Sequence, residues 1–256
     1  MKIVPQLMGN IPSHFVDTMN ALYRQYGYTH FNWNMGCPVS QIVRKQRGCG
    51  LMPYPDKVEE VVKKVTSQTG FYLSVKMRLG LHDFSEGIEM INRLNRYPLE
   101  FIVIHPRLGD WQYEGISNLE MFEQMSTISI HEIMYSGDIN TLSDFKILQQ
   151  RFPFVQQWML GRGILKNPFL AEQMINDKAA DLASYRKRFI NFYHDLVLAL
   201  LETRNEKGVL ANLKELWHYF AFFFQVEETT LLNLFRINEL NDFQQTVEMI
   251  MWHDSN

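Results

Sequence analysis

Short apolar runs recur along the first two-thirds of the chain, each closed by polar residues and followed by apolar positions at helical spacing. Residues 2–8 read as a short buried strand. Pro12-Ser13 then opens an amphipathic helix with Phe15, Met19, Leu22, Tyr23 and Tyr26 on one face, and Gly27 stops it. Residues 28–34 form a second strand. Pro55 starts a helix with Val58, Val61, Val62 and Val65 apolar, closed by Gly70. Further strands are predicted over 71–78, 99–105, 132–135 and 155–160, and further helices around 84–96, 118–127, 141–151 and 167–176.

This is strand–helix alternation repeated six times, the pattern of a parallel α/β fold. The polar residues collect just past the apolar runs, at Lys76, His105, Asp138 and Arg162, as on the catalytic rim of a (β/α)8 barrel. The predicted class is therefore a TIM-type (β/α)8 barrel over residues 1–176. Six units are two short of closure, and the α/β part is shorter than the usual minimum of about 200 residues for this fold. Glycine-rich strand ends at Gly137 and Gly161 look like the phosphate site built after strands 7 and 8. Counting back from them, the chain starts at strand 3, so two N-terminal βα units are expected to be absent. A six-stranded doubly wound sheet is the alternative.

From Asp177 the texture changes. Leu182, Tyr185, Phe189, Phe192, Tyr193, Leu196 and Leu200 recur at helical spacing. Gly208 interrupts, and Leu210, Leu213, Leu216, Trp217, Phe220, Phe223 and Phe224 follow. Residues 228–252 add one or two short helices. A small all-α domain over 177–256 is predicted, with its aromatics in the core.

Composition narrows the class without naming a function. The 256 residues carry 25 basic and 28 acidic side chains, a net charge of −3. That excludes a surface coated in positive charge, but not a local basic patch for nucleic acid. Two cysteines give no disulfide framework, and with no His/Cys cluster nearby no metal site is expected. No apolar run approaches the ~20 residues of a membrane span. The first residues lack a signal-peptide pattern. A cytoplasmic protein, monomeric and without a membrane partner, is expected.

Candidate chemistry centres on Asn34-Met-Gly-Cys-Pro38, where a strand ends in a lone thiol between Gly36 and Pro38. Ligands bind at the carboxyl ends of strands in such folds. By position alone, Cys37 is either reactive or a buried structural cysteine. The set of strand ends is more specific. It comprises Asn34-Met-Gly-Cys-Pro38, Val43, Gly48-Cys-Gly50, Val75-Lys-Met-Arg-Leu-Gly80, His105-Pro-Arg107 with Tyr113 and Gly115, Ser136-Gly-Asp-Ile139, Gly161-Arg-Gly163 and Asn167-Pro168. In this order and spacing it resembles the tRNA-dihydrouridine synthases.

That resemblance implies an FMN-binding barrel that reduces uridine in tRNA to 5,6-dihydrouridine. Hydride passes from reduced FMN to C6, a cysteine protonates C5, and NADPH re-reduces the flavin. Cys37 matches the proton donor; a thiol is protonated at neutral pH yet labile enough to donate. Cys49 stands where the family has a small residue and reads as structural. Lys76 would place a cation by the edge of the flavin that gains negative charge on reduction. His105 resembles the flavin-contacting histidine, and Gln6 and Asn34 the residues that bond the flavin ring or the substrate. Ser136, Gly137, Asp138, Gly161 and Arg162 match the FMN phosphate site, Ser136 replacing the usual Asn, with backbone N–H groups and helix starts as donors. For tRNA the candidates are Arg44, Lys45 and Arg47 beside the cysteine, Tyr113, and Arg186-Lys187-Arg188 on the first C-terminal helix, while Arg78 and Arg107 either hold flavin or RNA groups or form structural ion pairs. Trp111 and Phe169 either stack on bases or pack. The Ala-Pro-Met motif of the family's first strand has no match. Two other readings stand beside this one: an FMN oxidoreductase acting on a small pyrimidine, and an inactive or RNA-binding-only remnant.

Overall fold

The computed structural model describes residues 3–112, 114–177 and 182–252. Six strands pair in parallel in the order β1-β2-β3-β4-β5-β6. They are β1 (Gln6–Leu7), β2 (His30–Met35), β3 (Tyr72–Arg78), β4 (Ile102–His105), β5 (Ile133–Ser136) and β6 (Trp158–Met159). Sequential order with no reversal excludes the doubly wound alternative, whose strand order reverses at a switch point. The strands form a half-barrel.

The connecting helices are α1 (Pro12–Tyr26), α2 (Ser40–Val43), α3 (Pro55–Gln68), α4 (Phe84–Leu94), α5 (Leu119–Ile128) and α6 (Leu142–Arg151). After β6 come α7 (Arg162–Lys166), α8 (Leu170–Asn176), α9 (Leu182–Thr203), α10 (Glu206–Phe223), α11 (Glu228–Arg236) and α12 (Leu240–Trp252). No helix among the described residues is long and apolar enough to cross a membrane.

Differences from the predicted elements have local causes. The run 2–8 yields only two strand residues, because Pro5 has no N–H to add to a ladder; its carbonyl still accepts from Asn32 N at 3.0 Å. The loop 41–50 contains the short α2 and a 3-10 turn, Gly48–Leu51. The helix expected over 167–176 starts at Leu170, after Pro168. Asn167 Oδ1 accepts from Phe169 N at 3.1 Å there, turning the chain before the helix begins.

The backbone groups into two compact units, residues 1–137 with 149–159, and residues 138–148 with 160–256. In the first, alternation along the strands sorts the sheet into two faces. Phe31, Trp33, Met35, Leu73, Val75, Met77, Ile102 and Ile104 are buried on one face. Phe15 and Met19 of α1, the four valines of α3, and Met90, Ile91 and Leu94 of α4 complete that core. The other face carries Asn32, Asn34, Ser74, Lys76, Arg78, Val103, His105 and Ser136, by the register Asn32↔Ser74, Asn34↔Lys76, Lys76↔Val103 and Arg78↔His105. This inner face is mostly polar where the outer one is apolar. The second unit has its own core, built from Phe189, Tyr193, Val209, Leu213, Trp217, Phe220, Phe243 and Val247.

Candidate active site

The carboxyl end of β2 turns sharply around the Asn34 side chain. Its Oδ1 accepts from the N–H groups of both Gly36 and Cys37, each at 3.1 Å. Asn and Asp make such turns because their short side chains mimic a backbone carbonyl. Two further bonds pin the loop. Arg78 Nε donates to Gly36 O at 3.0 Å, and Cys49 N donates to Cys37 O at 3.0 Å. Gly48 lies against the same segment with φ 56°, and a Cβ there would sit 2.5 Å from Cys37 O. Only glycine fits. The backbone around Cys37 is therefore fixed by the Arg78 side chain and by the Cys49 backbone amide from two neighbouring segments, while Cys37 itself remains half-exposed.

Asn34 is itself held. Its Nδ2 donates to Gln6 Oε1 at 3.1 Å, Gln6 Nε2 donates to Asn32 Oδ1 at 2.8 Å, and Asn32 Nδ2 donates to Ser74 Oγ at 2.9 Å. Ser74 Oγ ends the row by donating to Phe31 O at 3.2 Å. The row crosses β1, β2 and β3, and its inner members Asn32 and Ser74 are buried. Neither was singled out from the sequence. The signal was present, since polar residues two apart in β2 mark a polar strand face.

Lys76 stands beside Asn34 in the register. Burial, with help from the adjacent Arg78 cation, pushes its ammonium pKa down to about 8. Arg78 itself is buried; besides Gly36 it donates through Nη1 to Leu108 O at 2.8 Å. One strand further, His105 and Arg107 are both buried. Arg107 Nη1 faces His105 Nε2 at 3.3 Å. A guanidinium can only donate, so Nε2 is the acceptor of this contact. Arg107 also grips Gly115 O with Nε and Nη2 at 3.1 and 2.8 Å. Gly137 follows Ser136 with φ 150°, and a Cβ there would meet the His105 ring at 3.0 Å. Cys49, the second thiol, is fully buried, and burial raises its pKa to about 12.

A family model for dihydrouridine synthases (Dus) matches residues 1–250. The chain belongs to the dihydrouridine synthase family. A Xenopus laevis protein named tRNA-dihydrouridine(47) synthase NAD(P)(+)-like is 28% identical over 182 residues, covering 70% of this chain and 28% of that protein. A probable tRNA-dihydrouridine synthase of Staphylococcus aureus is 28% identical over 67% of this chain and 53% of its own length. The tRNA-dihydrouridine synthase B of Pasteurella multocida is 27% identical over 59% of this chain and 45% of its length. The chain thus spans about half or less of the relatives it matches. Among solved structures, morphinone reductase superposes with a TM-score of 0.46 at 16% identity, over 66% of this chain and 50% of that one, too loose a likeness to bear on function.

The remaining candidate residues of this dihydrouridine synthase-family chain fall into separate places. Arg44 and Lys45 are exposed, with Arg44 Nε 3.4 Å from Ser40 O, and Arg47 is half-buried. Tyr113 lies outside the described residues. In the second unit Asp138 has φ 31°, and its carboxylate stands 4.0 Å from the Arg162 guanidinium. The amides of Asn140 and Thr141 are taken by the Asp144 carboxylate at 3.0 and 2.9 Å. Gly161 precedes α7, with open space at its Cβ position. Of the basic triplet on α9, Arg188 is paired in a fork with Glu172 at 3.0 and 2.8 Å and lies over the Phe169 ring at 4.9 Å. Arg186 lies over Phe224 at 5.8 Å, and Lys187 is exposed.

Proposed function

We propose that the chain carries the flavin-dependent reduction of uridine in tRNA to 5,6-dihydrouridine. The observation that carries this reading is the single polar strip formed by Asn34, Lys76, Arg78 and His105 at the carboxyl ends of β2, β3 and β4, with the braced Cys37 loop beside it.

The residues present fit an FMN. Lys76 is a half-buried cation with no acidic partner among the described residues, and Gly137 keeps the ground beside His105 clear of a side chain. Lys76 would lie by the flavin ring, His105 and Gln6 against it, and Ser136 and Gly137 toward its phosphate. The phosphate role of Asp138, Gly161 and Arg162 rests on the sequence resemblance. Bound there, reduced FMN would supply hydride for C6 of uracil, with NADPH restoring it.

Each side chain of the strip then has a task. The Cys37 thiol donates its proton to C5, and the Asn34 turn and the Arg78 bond hold the loop so that the thiol stays over one spot. Lys76, charged at neutral pH, stabilises negative charge developing beside it; its partly dry setting strengthens that effect. Arg78 and Arg107 support loops through backbone carbonyls, so the work of meeting tRNA phosphates falls to Arg44, Lys45 and Arg47, with Arg186 and Lys187 on the helical unit.

The test is dihydrouridine content of unmodified tRNA incubated with the purified chain, FMN and NADPH. Cys37→Ala is expected to lower the rate by about a hundred- to ten-thousand-fold, the usual worth of a positioned proton donor. A Cys37→Ala variant as fast as wild type removes the donor assignment, and a chain that binds tRNA but never flavin favours the RNA-binding-only reading.

A further inference from the structure

A cavity of about 270 Å³ opens where β1 leads into α1, lined by Gly9, Asn10, His14, Thr18 and Arg47 among others. Its walls are tied to each other. Asn10 Nδ2 donates to the carbonyls of Lys45 and Gln46 at 3.0 and 3.1 Å, and Trp33 Nε1 donates to Gly9 O at 3.2 Å. Arg47 is half-buried, and among the described residues its guanidinium makes no hydrogen bond and no ion pair. Its Nε is fully buried without a partner. A buried guanidinium nitrogen with its hydrogen bond unmade costs free energy that an anion bound to the same group would offset. The other basic residues of this loop, Arg44 and Lys45, are exposed.

Position says which anion. Arg47 is followed by Gly48 and Cys49, which lie directly on Cys37 through the Cys49 N to Cys37 O bond. The cavity is therefore next to the cysteine loop. A strand with its base at Cys37 has its charged backbone within a nucleotide's length of that point.

We propose that this cavity seats one backbone phosphate of the RNA strand whose uracil is presented to Cys37, with the Arg47 guanidinium as its ligand. RNA as occupant rests on the function proposed above; the unpaired arginine does not. The pocket fixes the register of the strand against the thiol.

The experiment measures binding of a short fluorescent oligoribonucleotide to the full chain by anisotropy across a salt series. Arg47→Gln is expected to weaken binding about three- to tenfold and to lower the slope of log K against log salt by about 0.7, the share of one single-stranded phosphate. Arg47→Lys, keeping the charge, retains the wild-type slope. Arg24→Gln, removing an exposed charge from the last turn of α1, is the comparison for net charge alone. A second measurement uses the wild-type chain, so it does not depend on the variant folding: replacing single linkages by neutral methylphosphonates should reveal one linkage whose neutralisation alone weakens binding about three- to tenfold. Equal losses for Arg24→Gln and Arg47→Gln overturn the site, as does a scan with no sensitive linkage. Competition by NADP⁺ that disappears in Arg47→Gln would reassign the pocket to a nucleotide phosphate and overturn the RNA occupant. These readouts record binding, so they remain informative if no dihydrouridine forms.

Discussion

Lys76 and Cys49 show how burial sets the chemistry of single side chains. The lysine's pKa falls to about 8 in the folded chain from an ordinary 10.5. Between those values the unfolded chain binds the proton more readily than the folded one, so folding stability rises with pH across that window and levels off beyond it. Lys76→Met removes this contribution. In denaturant titrations the variant should therefore be more stable than wild type at pH 7, and the gap should close between pH 8 and 10.5. A gap constant in pH would mean that the ammonium is not desolvated. The two thiols diverge for the same reason. Cys49 is sealed in the core with its pKa near 12, while Cys37 is reachable at the sheet's rim. In the sequence both lie in glycine-rich loops, and it is the family resemblance that set Cys37 apart as the reactive thiol and Cys49 as structural.

At the scale of elements, the loop after β2 and the turn at Gly48 act as one piece. Gly48→Ala asks for a left-handed backbone and places a methyl 2.5 Å from Cys37 O. A loss of at least about 1–3 kcal/mol is expected, read as a lower urea midpoint, together with faster alkylation of Cys37 as the loop loosens. An unchanged midpoint would show that the two loops are not in register contact. Most strands were legible because β3 alternates apolar and polar residues up to Arg78, and the apolar runs of β4 and β5 end at His105 and Ser136. The shortness of β1 was not, since the strand signal of Ile3 and Val4 outweighs one proline until pairing is known. Nor was the row from Ser74 to Asn34, which joins residues far apart in sequence. Arg78 and Arg107 illustrate the converse. Their type suggested ligand contact, but whether a guanidinium meets RNA or a backbone carbonyl depends on burial, which no local pattern reveals.

At the scale of the whole molecule, each compact unit is held by its own apolar core. In the helical unit Trp217 is fully buried, edge-on to Tyr193 at 6.1 Å and stacked near Phe224 at 5.8 Å. Trp217→Ala should cost about 3–5 kcal/mol, measured as a fall in the thermal midpoint. A loss under about 1 kcal/mol would mean the core collapses around the gap. The aromatic spacing of α9 and α10 had made this core legible, with Phe192 the exception at 47% exposure. The sheet unit depends on a different kind of order. Along β2 and β3, apolar residues on one side alternate with amides, a hydroxyl and cations on the other. Slipping β2 by a single residue against β3 would drive Asn32 and Asn34 into the layer of valines and methionines and turn Phe31 and Trp33 toward the strip. Both errors are costly at once, so the polar strip that equips the site also proofreads the pairing of the strands that build it.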